Sequence, residues 1–326
     1  MRGFLGLVLM AVMAASVAAA AAKRGARAPA SAPRQAAAGL SSGTRDLVVR
    51  PVVQVLPMPE GTPAGNTAAY DWSAGRLRVT GRGRPSTKAT SNAQRRWTAR
   101  EAALIVATRN LGLALRGIPV SSEETLARYV ERQGGKLEFH FQVRMGQVVK
   151  ERALEEGDFE VTMEASFSAV ESLGGVVGPD ASGAAPAKAS PRLRAEGWKP
   201  PAGLTPTGAD GPFTGLVLVA TDLKAEPVLR PLVLSEEGRA LYGPGIAEGA
   251  SARAQGLASY AYTLSDARAL GRAGEKPLVV AASGVDARNA GCLFLSKGDA
   301  ERVRAADKRN GFLKKAAVVV ILDPDS

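Results

Sequence analysis

The chain is almost without histidine and cysteine: its 326 residues include one of each, His140 and Cys292. A single histidine excludes a metal centre built on two or more imidazoles. A single cysteine excludes an intrachain disulfide and every multi-cysteine zinc or iron–sulfur cluster. A Ser-His-Asp triad would have to use His140. No nucleophile or orienting carboxylate stands at a telling spacing from it, so no catalytic residue is assigned and no cofactor is expected. Aromatic residues are scarce, at 5%, which removes the interleaved stacking rings that a single-stranded nucleic-acid site needs. Long apolar runs are scarce as well. The one candidate, Phe4–Val17 (FLGLVLMAVMAASV), follows Arg2 and thins into Ala18–Ala22 before Lys23. This is the pattern of a cleaved signal peptide, ending at Ala20 or Ala22, and it falls short of the roughly 20 bulky apolar residues of an anchor. It predicts export to an oxidising compartment, a periplasm or cell envelope. No cysteine follows the run to carry a lipid.

Charge is unevenly placed. The net charge is +11, yet residues 101–326 hold 27 Lys/Arg against 28 Asp/Glu. Residues 23–100 hold 14 Lys/Arg against Asp46, Glu60 and Asp71 alone. Residues 23–71 are rich in Ala, Pro, Ser and Gly and read as a disordered basic lead. Within it Leu47–Leu56 could form a strand, with Pro51 confining it to an edge. The second basic group, Arg76–Arg100, lies where folded structure is expected. Arg82, Arg84, Arg95, Arg96 and Arg100 are its candidates for binding an anionic envelope polymer or lipid headgroup, with a silent solvated face as the alternative.

The remaining pattern predicts an α+β protein of two mixed units joined by a Pro/Gly-rich linker. The first unit spans residues 72–170. Arg76–Thr80 alternates as a strand, Gly81-Arg82-Gly83 reads as a turn, and Asn92–Leu115 is the strongest helix, with Trp97, Leu104, Leu111 and Leu115 on its apolar face. Gly81-x-Gly83 sits where a phosphate loop would but lacks the third glycine. Ser121–Arg132 is read as a second helix. Leu137–Val143, with His140 on its polar side, is read as strand or as an extension of that helix. Gln147–Ala153 and Asp158–Phe167 complete the unit as strands. Residues 171–212 carry seven prolines and eight glycines and form the predicted flexible linker; Trp198 within it is either a docking anchor or the start of the next unit.

In residues 213–326, Gly215–Ala220, Pro277–Ala282, Cys292–Ser296 and Ala316–Leu322 are unbroken apolar runs suited to strands covered on both faces. Gly249–Leu270 and Asp299–Lys308 read as helices, and Leu229–Leu234 with Ala240–Tyr242 as a hairpin. Gly243-Pro244-Gly245 ahead of Gly249 could receive an anion at a helix start. Cys292 is read as a buried small residue in a strand, with a reactive free thiol as the alternative. Asp222 and Asp323 each stand just past an apolar strand; were those strands neighbours, the pair could hold Mg²⁺.

The first unit resembles the small bacterial lipoprotein family typified by a twenty-kilodalton outer-membrane lipoprotein, with relatives among flagellar accessory proteins of the P and T type. The likeness is carried by Val79–Gly83, by Ala99, Ala103 and Ala107 leading into Asn110-Leu111, by Val120–Thr125, and by Gly157–Val161. The second unit looks like the C-terminal extension of longer exported relatives, through Thr214–Val217, Pro227, Pro231, Glu237–Arg239, Tyr242-Gly243, Pro277–Val280 and Phe312–Lys315. The resemblance implies a non-enzymatic, envelope-associated role in binding or assembly, in places linked to the flagellar base. The expected partners are envelope proteins or an anionic polymer or lipid, not nucleic acid, with self-association into a homo-oligomer left open.

Overall fold

The computed structural model describes residues 49–58, 62, 64–133, 146–166, 189–201, 203–204, 206–207 and 211–324. The fold is α+β, with helices and several sheets. The expected signal segment, most of the basic lead and Leu137–Val143 with His140 lie outside these residues. Asp46–Ser326 cluster as one unit.

Its N-terminal part is an antiparallel sheet under a helix. β1 (Val53–Val55), β2 (Ala68–Asp71), β3 (Arg76–Gly83), β6 (Gln147–Ala153) and β7 (Phe159–Ser166) pair in the order β1-β2-β3-β7-β6. Helix α1 (Asn92–Gly117) lies over them. Between α1 and β6 the chain forms β4 (Pro119–Ser121), β5 (Glu124–Thr125) and α2 (Leu126–Arg132). The lead therefore joins the fold from residue 49 onward: Val52, Leu56, Ala68 and Tyr70 are buried, and β1 is the edge strand that Pro51 permits.

Gly81 and Gly83 do not turn the chain; they continue β3 to its end. Both face α1. A Cβ on Gly81 would stand 2.2 Å from the Ala107 nitrogen, and one on Gly83 2.2 Å from the Ala103 nitrogen. The glycines and the buried stripe Ala99, Ala103 and Ala107 let helix and sheet backbones approach closely. This close approach also corrects the expected helix face. Trp97 and Ile105 are exposed, and the buried side is the alanine stripe with Asn110, Leu111 and Leu115. The N-cap is Ser91, whose Oγ accepts the Gln94 N–H. The expected second helix begins late because Pro119–Thr125 pair as β4 and β5 first.

The outer face of this sheet accounts for much of the basic stretch. Arg76 and Arg78 on β3 pair with Glu164 on β7 at 3.0 and 2.8 Å. Arg82 on β3 and Arg152 on β6 pair with Glu160 at 3.0 and 2.9 Å. Burial alone would raise the Glu164 carboxyl, but hydrogen bonds and charge from Arg78 and Arg76 outweigh it and hold it below the ordinary 4.5. A depressed native value means stability that is complete above the unfolded value and lost as pH falls through the native one. Unfolding free energy of the wild type should therefore fall as pH drops below about 4.5, and Glu164→Gln should remove part of that slope in urea titrations run at each pH.

The C-terminal part carries two sheets. β9 (Gly215–Val219), β12 (Ser259–Ala261), β13 (Pro277–Ala281) and β16 (Val318–Ile321) form an all-parallel sheet in the order β12-β16-β9-β13. Every residue of β9 and β16 is buried, as their unbroken apolar runs require. β8 (Pro191–Leu193), β10 (Leu232–Ser235), β11 (Ala240–Tyr242), β14 (Gly284–Asp286) and β15 (Cys292–Leu295) form the second sheet, ordered β11-β10-β15-β14-β8. The expected helix over 249–270 divides into α3 (Gly249–Gln255) and α4 (Leu264–Ala269) around β12, because Gly256 ends the first and Thr263 caps the second. Helix α5 (Lys297–Asn310) is capped by Ser296 and stopped by Gly311. The span read as a linker contributes β8 and packs Leu204 into the core.

The two parts meet around Trp72 and Tyr260, whose rings stand edge to face at 5.6 Å. Ser73 Oγ donates to the Tyr260 carbonyl at 2.8 Å. The Leu229 and Arg230 N–H groups donate to the Pro119 and Val120 carbonyls. Cys292 lies fully buried in β15, and desolvation pushes its thiol up to about 12. A thiol-reactive probe should leave the native protein unlabelled and modify Cys292 only as fast as the chain opens, a rate that urea raises.

Candidate functional site

Because β9 and β16 are parallel neighbours, with Val219 opposite Ile321, the residues that follow them leave the sheet at one edge. Asp222 and Asp323 thus converge, as the sequence reading allowed. The Asp222 N–H donates to both oxygens of the Asp323 carboxylate, at 2.8 and 3.0 Å. Asp222 holds this position with a φ of 62°, a left-handed conformation that aspartate tolerates better than most residues.

Two residues from the span read as linker complete the edge. The Trp198 indole N–H donates to Asp222 Oδ2 at 2.9 Å. The Arg194 guanidinium stacks on the Trp198 ring, 3.6 Å from its centroid. It donates to the carbonyls of Val219 at 2.8 Å, Ala282 at 2.5 Å and Thr221. These carbonyls lie where β9 and β13 end, and Val219 also accepts the Ala282 N–H there. Burial pushes the guanidinium down to about 10, against the pull of Asp222 and Asp323, so it is charged at neutral pH. Arg194 thereby sets one positive charge within the electrostatic reach of the acid pair. Among the described residues, no three His, Cys, Asp or Glu gather as a metal-ligand group.

Over this edge lies a cleft of about 730 Å³, lined by Thr221, Asp222, Asp323, Tyr262, Ser265 and Arg268, with Leu204 and Leu264 beside them. Its volume is that of a small-molecule site. Thr221 is 7% exposed, and its Oγ1 has no hydrogen-bond partner among the described residues. A second cavity of about 490 Å³ lies between the two parts, against Trp72, Leu229 and Arg272. Its charged group is committed inward: Arg272 donates to the carbonyls of Gln255, Gly256 and Ala316.

The other sequence candidates do not converge. Arg82 is held by Glu160, Arg84 stands 3.8 Å from Asp158, and Arg100 pairs with Glu151 at 2.6 Å and Glu101 at 3.1 Å. Arg95 and Arg96 are exposed at the start of α1 and make no ion pair among the described residues. Gly81-x-Gly83 faces helix backbone, not a ligand. After Gly243, the N–H groups of Ile246 and Ala247 donate to the Gly243 carbonyl. Arg194 had no sequence signal: it is one arginine in a Pro/Gly-rich stretch, and only the reading of Trp198 as an anchor pointed there.

A family model described as Treponema pallidum Tp0624, second domain, matches residues 215–324. That stretch takes in the parallel sheet and both acids of the cleft, and it begins after Arg194 and Trp198. No curated protein matches the chain.

Proposed function

We propose that this is an exported cell-envelope protein with a non-enzymatic role in binding or assembly, and that the strand-end cleft is its ligand-binding surface. The leader-like Phe4–Val17 run and the resemblance to envelope lipoproteins and flagellar accessory proteins support the location. The observation that carries the binding role is the fixing of the acid pair. Asp323 accepts a backbone N–H, Asp222 accepts an indole N–H, and Arg194 balances their charge. Carboxylates held in this way can orient a ligand. Partners would be envelope proteins or an anionic envelope polymer or lipid. The test is fractionation of a bacterial host expressing the full chain, with N-terminal sequencing of the product. Recovery from the envelope or periplasm with a new N-terminus near Ala20–Lys23 is expected. Cytosolic protein that keeps Met1 would overturn the location.

The convergence of Asp222 and Asp323 favours a second reading, a metal-dependent enzyme or metal-bound ligand module in the C-terminal part. It requires that Mg²⁺ raise the Tm of the wild type and leave Asp222→Asn unchanged. Equal melting with and without the ion would end that reading.

A further inference from the structure

We propose that the cavity between the two parts of the fold is a second binding site, and that it takes a small monocarboxylate with an apolar body. The proposal does not rest on the strand-end cleft.

The walls are the first ground. The cavity, of about 490 Å³, is lined by Tyr70 and Trp72 from the N-terminal part and by Val228, Leu229 and Leu257 from the C-terminal part. All of these side chains are buried in the fold, so the surface they give the cavity is already formed. A concave, mostly apolar space where two parts of a chain meet is a common setting for small-molecule sites. Such walls suit a hydrocarbon or aromatic body and disfavour an ion that keeps its water.

Charge is the second ground. Arg272 lines the same cavity and is half-buried. Its guanidinium is fixed in place. Nε donates to the Ala316 carbonyl, Nη1 to the Gln255 carbonyl and to Ser259 Oγ, and Nη2 to the Gly256 carbonyl. These neutral partners engage at most four of its five N–H groups and leave its charge uncompensated. The ionisable groups acting on it are the Tyr242 and Tyr260 phenols, which burial raises and so keeps neutral at neutral pH. Desolvation outweighs them and lowers the guanidinium from its ordinary value. A cation held this way carries a cost that an anionic ligand relieves. Among the described residues, no Asp or Glu lines the cavity. Asp71, next to Tyr70, stands on the other face of β2, and its Oδ1 accepts the Ser73 and Ala74 N–H groups. One positive charge without a negative one selects a monoanion.

Tyr70 is the third ground. Its ring is buried and lines the cavity, and its hydroxyl makes no hydrogen bond among the described residues. A buried phenol usually has a partner, and here an oxygen of the ligand supplies one.

The test is calorimetric titration of the purified protein with octanoate and 3-phenylpropionate, and with the neutral 3-phenylpropionamide and the cationic 3-phenylpropylamine in parallel. At least one carboxylate is expected to saturate, with an affinity at least about tenfold above the amide, and the amine to give no saturation. Salt should weaken the carboxylate and leave the amide unchanged. Saturation by octanoate alone would make the ligand aliphatic and by 3-phenylpropionate alone aromatic, and either supports the proposal. Ala254 lines the cavity from the exposed side of α3, so Ala254→Glu adds a carboxylate at the rim without disturbing the core. It should weaken carboxylate binding at least about tenfold with Tm unchanged. Tyr70→Phe, which removes only the hydroxyl, should weaken it about threefold. An amide or amine that binds as tightly as the carboxylates would overturn the ligand class. Carboxylate binding untouched by both substitutions would overturn the site, as would saturation by none of the four probes.

Discussion

Gly83→Ala and Gly81→Ala should each cost about 3 kcal/mol, the upper end of overpacking, and the double variant should fail to fold. The added methyl has no side chain to push aside. On Gly83 it would stand 2.2 Å from the Ala103 nitrogen and 2.3 Å from the Ala99 carbonyl oxygen. On Gly81 it would stand 2.2 Å from the Ala107 nitrogen and 2.5 Å from the Ala103 carbonyl oxygen. Helix α1 can yield only by lifting off β3, which would loosen the buried contacts of Ala99, Ala103, Ala107 and Leu111 with the sheet. Gly117→Ala is the control, because a Cβ there meets nothing within 4 Å. It should leave stability unchanged or raise it by at most about 1 kcal/mol. Urea unfolding followed by circular dichroism measures all four variants.

Arg194→Ala should cost about 3 kcal/mol. It removes a charged donor from three strand-end carbonyls, of which Val219 keeps the Ala282 N–H; hydrogen bonds to a charged group are each worth about 1.5–3 kcal/mol net, offset here in part by the cost of burying the guanidinium. It also leaves Asp222 and Asp323 without their shared counter-charge. Arg194→Lys should recover only part of the loss, because an ammonium is a point charge and cannot span carbonyls on two strands as a planar fork does. A lysine variant as stable as the wild type would show that charge alone matters at this edge. The change in tryptophan emission against the wild type gives a local readout, since both substitutions remove the group stacked on Trp198 and neither touches Trp72 or Trp97.

The two predictions mark where the sequence was readable and where it was not. Apolar runs such as Gly215–Ala220 and Ala316–Leu322 were recognisable because a strand covered on both faces has no polar side to interrupt it. Strand adjacency is a tertiary fact, so Asp222 and Asp323 could be proposed as partners only under a condition, which the parallel pairing of β9 with β16 meets. Gly81 and Gly83 were misread as a turn because glycine serves two needs, a reversal of the chain and a close backbone approach. The alanine spacing of α1 distinguishes them only once the helix is known to lie on that strand. Trp97 was placed inside because its ring is large and apolar, yet the buried face of α1 admits only small residues. The 249–270 span read as one helix because β12 is only three residues long, too short to break a helical pattern. Arg194 was invisible for a different reason. Its importance comes from carbonyl oxygens, which every residue carries and which leave no trace in a sequence.

The placement of β8 bears on how the chain can be divided. A fragment starting at residue 213, or at 215 where the family match begins, would omit the β8 edge of the second sheet and the Arg194–Trp198 clasp over the first. It would expose β14 along a whole side, an invitation to pair with another copy. A recombinant C-terminal fragment should therefore start before Ala189. A C-terminal part grafted onto another protein would have to bring the upstream segment with it to keep its edge strand and its clasp.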